Sequence, residues 1–226
     1  LQMVAIEQNG EKEKTEKSGR SGALPWIGEG MYKMNLQLPK GYKRAVLVFD
    51  GAMSQPVVKV NGKEAGRWAY GYNAFCIDIT PYVQFGGKKN LVEVHLNNVE
   101  ESSRWYPGGG LYRPVSVELY GNENFSTWDT FVRTLKADKQ EAEVEVNALL
   151  EGKIGKSGKT VIALLDEAGT KVAEQTIQGA TPEIKTTLKV ASPQLWSPES
   201  PYLYQVKLTR YEGKKVADVQ TLKTGI

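Results

Sequence analysis

The chain has 226 residues, enough for one large or two ordinary domains, and its 40% apolar content can support hydrophobic cores. Twenty-nine basic and 26 acidic groups leave a net charge of +3, and their interleaving along the chain argues against a nucleic-acid-binding surface. One cysteine and one histidine exclude an internal disulfide and leave too few ligands for a His/Cys metal centre, and no apolar run reaches the roughly 20 residues of a membrane-spanning helix.

The opening Leu1-Gln2-Met3-Val4 reads as mid-chain, with neither an initiator methionine nor a signal peptide, so a piece of a longer protein is expected. Residues 7–22, rich in Glu, Lys, Gly and Ser, have no apolar period and predict a solvated loop. The turn-like stretch from Gly22 to Gly30 carries Leu24, Trp26 and Ile27 as apolar anchors. Strand patterns then follow one another. Tyr32–Leu38 alternates, Arg44–Asp50 is a short apolar run, and Val57–Val60 leads into Asn61-Gly62, the strongest two-residue hairpin signal. Phe75–Ile79, Leu91–Leu96 and Val115–Leu119 alternate again. With no amphipathic helix among them, these strands predict an antiparallel sandwich of jelly-roll type over residues 1–121.

Arg104-Trp105-Tyr106 leads into Pro107 and three glycines, a place where the chain can bend sharply. Flat aromatic faces beside a guanidinium suit a sugar, with its apolar C–H faces and rim of hydroxyls. Equally, the aromatics can cap the end of a core while Arg113 pairs with a buried carboxylate. Gly121 to Asn124 breaks the strand pattern and marks the domain boundary. Beyond it, Thr130–Leu135, Ala142–Leu150, Thr160–Leu165, Lys171–Ile177, Ile184–Val190, Tyr202–Tyr211 and Lys215–Leu222 recur at the spacing of an immunoglobulin-like sandwich over residues 122–226. Asp166-Glu167-Ala168-Gly169 and Glu212-Gly213 read as hairpin turns. The alternating carboxylates from Glu141 to Val146 read as a half-exposed strand, not a catalytic cluster. Pro198 and Pro201 keep their segment out of a central strand, and Trp196 and Tyr204 are expected to tuck into the core.

Several stretches resemble glycoside hydrolase family 2, its bacterial β-galactosidases in particular. They are Val48 to Ser54, Val58 to Lys63, Phe75 to Thr80 and the Ser-Ser-Arg-Trp-Tyr-Pro segment, in that order; Leu195 to Glu199 with Pro201 to Tyr204 resembles the family's immunoglobulin-like domain. The resemblance implies a galactose-binding-like jelly roll followed by that second sandwich, the front end of a retaining glycosidase. In the family a following (β/α)8 barrel of about 250 residues bears the two catalytic carboxylates, about 5 Å apart. This chain is expected to lack that barrel, to be inactive alone, and to brace the barrel and line one wall of the sugar pocket.

By the same resemblance, Arg104, Trp105, Tyr106 and Arg20 match loops at the pocket edge, while Asp50, Arg113, Trp196 and Tyr204 are structural. Where the family often has an aspartate that helps hold a sodium ion, this chain has Pro114, so no such ion site is expected, nor any cofactor. Gly30-Met31-Tyr32-Lys33 departs from a more usual Gly-Trp-Tyr-Arg, and any sugar contact from that tryptophan is lost. Asn122-Glu123 matches the family's acid/base dipeptide but falls in the linker, and adjacent Glu100-Glu101 diverge in extended chain. The implied partners are a galactoside-type glycan, the barrel and a possible second copy, in an exported or periplasmic setting. A free-standing carbohydrate-binding module and a purely structural pair of sandwiches are the alternatives.

Overall fold

The computed structural model describes residues 28–99 and 109–226. The chain divides into two compact units, Leu1–Leu119 and Tyr120–Ile226. Both are β-sandwiches, a jelly roll followed by an immunoglobulin-like fold, with no α-helix among the described residues.

The first unit contains β1 (Gly28–Gln37), β2 (Arg44–Phe49), β3 (Val57–Val60), β4 (Lys63–Arg67), β5 (Phe75–Asp78), β6 (Lys89–Asn98) and β7 (Val115–Tyr120). One sheet has the order β1-β6-β3-β4 and the other β5-β2-β7. The apolar run of β2 makes it a central strand buried on both faces, with Leu47 and Phe49 in the core and Val46 and Val48 buried on the opposite side. On β6 the alternation is regular, so Asn90, Val92, Val94, Leu96 and Asn98 all point inward. Asn61 and Gly62 both have left-handed backbone, with φ of 52° and 79°, and close the β3–β4 hairpin. Sequence patterning did not anticipate β4, because Lys-Glu-Ala-Gly-Arg offers no apolar alternation.

One neutral side chain holds the irregular turns of this unit. The amide of Asn90, fully buried, donates to the carbonyls of Gln84 (2.9 Å), Lys88 (3.2 Å) and Leu36 (3.3 Å). Its oxygen accepts from the Gln84 N–H (2.7 Å) and from the Asn61 amide (3.0 Å). Every polar atom of the side chain is thereby paired, as burial requires.

The second unit contains β8 (Glu123–Phe125), β9 (Phe131–Ala137), β10 (Glu141–Gly152), β11 (Lys159–Leu165), β12 (Lys171–Gln178), β13 (Glu183–Ala191), β14 (Tyr204–Glu212) and β15 (Lys215–Thr224). One sheet runs β13-β10-β8, with β9 also on β10; the other runs β12-β11-β14-β15. Their inner faces meet in a core of Val144, Val146, Ile162, Leu164, Ile184, Leu188, Val206 and Leu208. Gly169 and Gly213 take φ of 83° and 60° at the two hairpin turns that glycine was expected to close.

The stretch read as a linker differs from expectation. Glu123 lies in β8 and is fully buried with Arg210, whose Nη2 donates to Glu123 Oε2 at 3.1 Å. Arg210 also donates to the Gly179 carbonyl (3.1 Å), and Glu123 Oε2 accepts the Gly155 N–H (3.2 Å). A Cβ on Gly158 would stand 2.2 Å from Arg210 Nη2, so only glycine lets that strand lead-in approach the guanidinium. The Asn-Glu dipeptide is therefore a buried structural anchor. Tyr204 is buried, its hydroxyl accepting the Gln194 N–H at 2.8 Å, but Trp196 remains 49% exposed. Trp196 lies over Gly225, 3.0 Å from a Cβ built there, and its backbone N–H donates to the Ile226 carbonyl, so the ring rests on the Gly225 backbone at the surface instead of inside.

Candidate functional site

Two cavities are lined by described residues of the first unit. One, of about 340 Å³, is an apolar slot between its sheets, walled by residues such as Met34, Leu36, Phe49, Val94 and Val117. Lys33 and Tyr32 supply its only polar side chains, too few to orient a hydroxylated ligand. The other, of about 300 Å³, lies at the end of the β1–β6 ribbon and is lined by Gly28, Gly30, Met31, Tyr32, Met53, Leu96, Asn98, Gly109 and Gly110.

The second cavity follows from the register. Leu96 and Asn98 project inward from β6, and their cross-strand partners on β1 are Gly30 and Gly28. Paired residues share a face, so two missing side chains leave a space opposite Leu96 and Asn98. Tyr32, the next inward position of β1, leans across so that its hydroxyl accepts the Leu111 N–H at 3.3 Å. A Cβ on Gly110 would stand 2.4 Å from that hydroxyl, and Gly110 has φ of +95°, two reasons for glycine there. Met53 is fixed from both sides. Its backbone exchanges two hydrogen bonds of 2.9 Å with Gly110, and the neighbouring Ser54 hydroxyl donates to the Asn97 carbonyl at 2.6 Å.

The pocket-edge residues Arg104, Trp105, Tyr106 and Arg20 lie outside the described residues, as do Glu100, Glu101 and Pro107. In the sequence, residues 1–27 precede Gly28 and residues 100–108 lie between Val99 and Gly109; Gly28, Asn98, Gly109 and Gly110 line the cavity. Arg113 is exposed and donates to the main-chain oxygens of Asp50 (3.3 Å) and Tyr72 (3.5 Å), while the Asp50 N–H donates to the Pro114 carbonyl (3.0 Å). Its guanidinium also lies 5.2 Å from the centre of the Tyr112 ring. Arg113 and Asp50 thus meet through backbone, where sequence reasoning expected a buried carboxylate.

Tyr32 is the one ionisable side chain on the described cavity wall, so that wall can contact a ligand but holds no pair of carboxylates for acid–base or nucleophilic work. The carboxylates with displaced pKa values lie elsewhere, and all move downward. Burial opposes ionisation of Asp78, but hydrogen bonds from Thr80 and Arg44 outweigh it. A hydrogen bond from Lys33 lowers Glu93. The amide of Asn147, joined by Arg133, lowers Glu145. A general acid needs the opposite displacement. No group of three or more His, Cys, Asp and Glu that could hold a metal occurs among the described residues.

Residues 125–226 match the family model described as glycosyl hydrolases family 2. The chain is 33% identical over 210 residues to a putative β-glucuronidase of Formosa agariphila, covering 92% of this chain and 20% of that protein. It is 32% identical over 232 residues to the β-galactosidase BoGH2A of Bacteroides ovatus, covering 98% of this chain and 27% of that protein. A crystal structure of a glycosyl hydrolase family 2 member from Bacteroides cellulosilyticus superposes with a TM-score of 0.80 at 34% identity, over 89% of this chain and 27% of that one. Over nearly its whole length the chain is thus similar to a partial region of family 2 glycosyl hydrolases. It spans about a quarter or less of the length of these curated relatives. What sequence reasoning missed is the glycine pairing that opens the cavity. Its signal was present: Gly28-x-Gly30 lies opposite the inward parity of Leu96-x-Asn98.

Proposed function

We propose that this chain is a non-catalytic portion of a family 2 glycosidase acting on β-galactosides or β-glucuronides, shaping one edge of the sugar pocket. The observation that carries the reading is the glycine-walled cavity, whose wall combines the Tyr32 hydroxyl and the Asn98 carboxamide with the Met31 and Met53 side chains. A hydroxylated ligand there would meet the Tyr32 hydroxyl, the Asn98 carboxamide and the Met31 and Met53 side chains, enough to orient a sugar but not to cleave it. The acid and nucleophile belong to a barrel elsewhere in the polypeptide, and the second sandwich braces it. The galactosidase and glucuronidase relatives support the carbohydrate class.

The test is turnover. Incubated with nitrophenyl β-galactoside and nitrophenyl β-glucuronide, the chain should release no nitrophenol above the buffer blank. Release of nitrophenol by the purified chain would overturn the reading. Grafted onto BoGH2A in place of the corresponding region, the chain should support hydrolysis, and Gly30→Trp in the graft should raise KM about ten-fold with kcat little changed. A Cβ at Gly30 meets nothing within 4 Å, so the added ring enters the cavity without straining the strand.

A further inference from the structure

A second surface of the first unit has the construction of a sugar-stacking platform. Phe49 and Phe75, both fully buried, stack with ring centres 4.6 Å apart and planes 5° apart. Trp68 continues the pile, 5.6 Å from Phe75 and tilted by 10°. One indole face rests on Phe75, yet Trp68 is 41% exposed, so the exposure falls on the opposite face and the edge. A flat aromatic face is thus held at the surface by a stack rooted in the core. Tyr70, 55% exposed, stands beside it with its ring tilted against Tyr72 at 5.6 Å.

The loop that presents these rings is anchored at several points. The Trp68 N–H donates to the Pro56 carbonyl (3.0 Å), and the Gly71 carbonyl accepts from the Tyr112 hydroxyl (2.8 Å). Gly71 is buried against Met53, with no room for a Cβ. Ordering costs that a ligand would otherwise meet are therefore already met in the fold. At the end of the edge strand β4, one residue before Trp68, Arg67 forks onto Glu64 Oε1 at 2.9 and 2.7 Å.

We propose that Trp68 and Tyr70 form a carbohydrate-binding surface, distinct from the glycine-walled cavity, that takes an oligosaccharide through the C–H face of a pyranose. The occupant follows from the chemistry. A protein partner needs about 800 Å² of complementary surface, whereas here single rings alternate with Ala69 and Gly71 and are flanked by the charged Lys63, Glu64 and Arg67. An isolated flat ring with a hydrogen-bonding rim matches a sugar. Neither Trp68 nor Tyr70 lines the glycine-walled cavity; Met53, which does, packs against Gly71 of the platform loop. The inference rests on the proposed function only for the carbohydrate class of the ligand.

Calorimetry on the chain with lactose and with cellotetraose tests it. Saturable binding is expected for at least one of them. Trp68→Ala should weaken it at least ten-fold, and Tyr70→Ala several-fold without lowering the unfolding temperature. Tyr70→Ala keeps the test decisive should Trp68→Ala unfold. Trp128→Ala, an equally exposed tryptophan of the second unit, should bind as the parent does. No saturable binding, or binding that Tyr70→Ala leaves intact while Gly30→Trp abolishes, overturns the platform and leaves the proposed function standing. Turnover of an aryl glycoside by the chain would overturn the proposed function and leave the platform standing.

Discussion

The two sandwiches pin irregular chain into a core by opposite means. In the first, a neutral amide, Asn90, satisfies three carbonyls and two N–H groups and leaves none of its own atoms unpaired. In the second, a buried ion pair does the work, and Glu123 Oε1 and Arg210 Nε have no hydrogen-bond partner among the described residues. A neutral network costs little to bury once complete, whereas an ion pair must recover a large desolvation cost and punishes the loss of either partner. The unit with the candidate site thus uses the forgiving anchor, and the unit without it uses the severe one.

The contrast can be broken most directly at Arg210. Arg210→Met should cost about 3–5 kcal/mol in urea unfolding, because it strands the Glu123 carboxylate in an apolar interior. Adding Glu123→Leu should recover most of that loss, and a double variant as unstable as the single would show that the charge was not the problem. Asn90→Leu comes next, at about 2–3 kcal/mol, since it removes the partner of the Gln84 N–H and of the Leu36, Gln84 and Lys88 carbonyls together. If Asn90→Leu proves costlier than Arg210→Met, the ranking of neutral over ionic anchors is wrong for this protein.

The smallest effect sharpens the charged side of the comparison. Asp138 accepts the N–H groups of Glu141 and Gln140, both at 2.8 Å, and these hold its pKa below the ordinary 3.8. A carboxylate depressed on folding stabilises above its unfolded pKa and loses that stabilisation as pH falls through the folded one. Urea midpoints should therefore drop below about pH 4, and Asp138→Asn should flatten that limb while costing little at about pH 7. An acid limb unchanged in Asp138→Asn would assign it to other carboxylates.

Most strands were legible because their period survives burial: β1 from Tyr32 onward, β2, β3, β5, β6, β7 and β9 to β15 fall where alternation or an apolar run lies. The elements that escaped are those whose buried face is not apolar. β8 presents Glu123 and Asn124 inward, and charged residues read as a turn until a partner is known. The partner was readable by parity. Tyr204, Val206 and Leu208 face the core, so Arg210 must as well, and a buried guanidinium demands a carboxylate. Trp196 went the other way, because its backbone N–H is committed to the Ile226 carbonyl and its ring lies over Gly225, leaving it half exposed. The candidate cavity escaped for a subtler reason: it is made of side chains that are missing, and their absence matters only once Gly28 and Gly30 are known to sit across from Asn98 and Leu96.

The pairing of β1 with β6 runs through ten consecutive residue pairs, from Gly28 with Asn98 to Gln37 with Lys89, without a bulge. In such a ladder a slip of one residue would turn Val92, Val94 and Leu96 out to water, so the interior vetoes it. The hollow at the tip therefore inherits its alignment from hydrophobic positions along the same strand, up to about 20 Å of chain away. Evolution can repaint its walls residue by residue, but a single insertion or deletion within either strand would erase it.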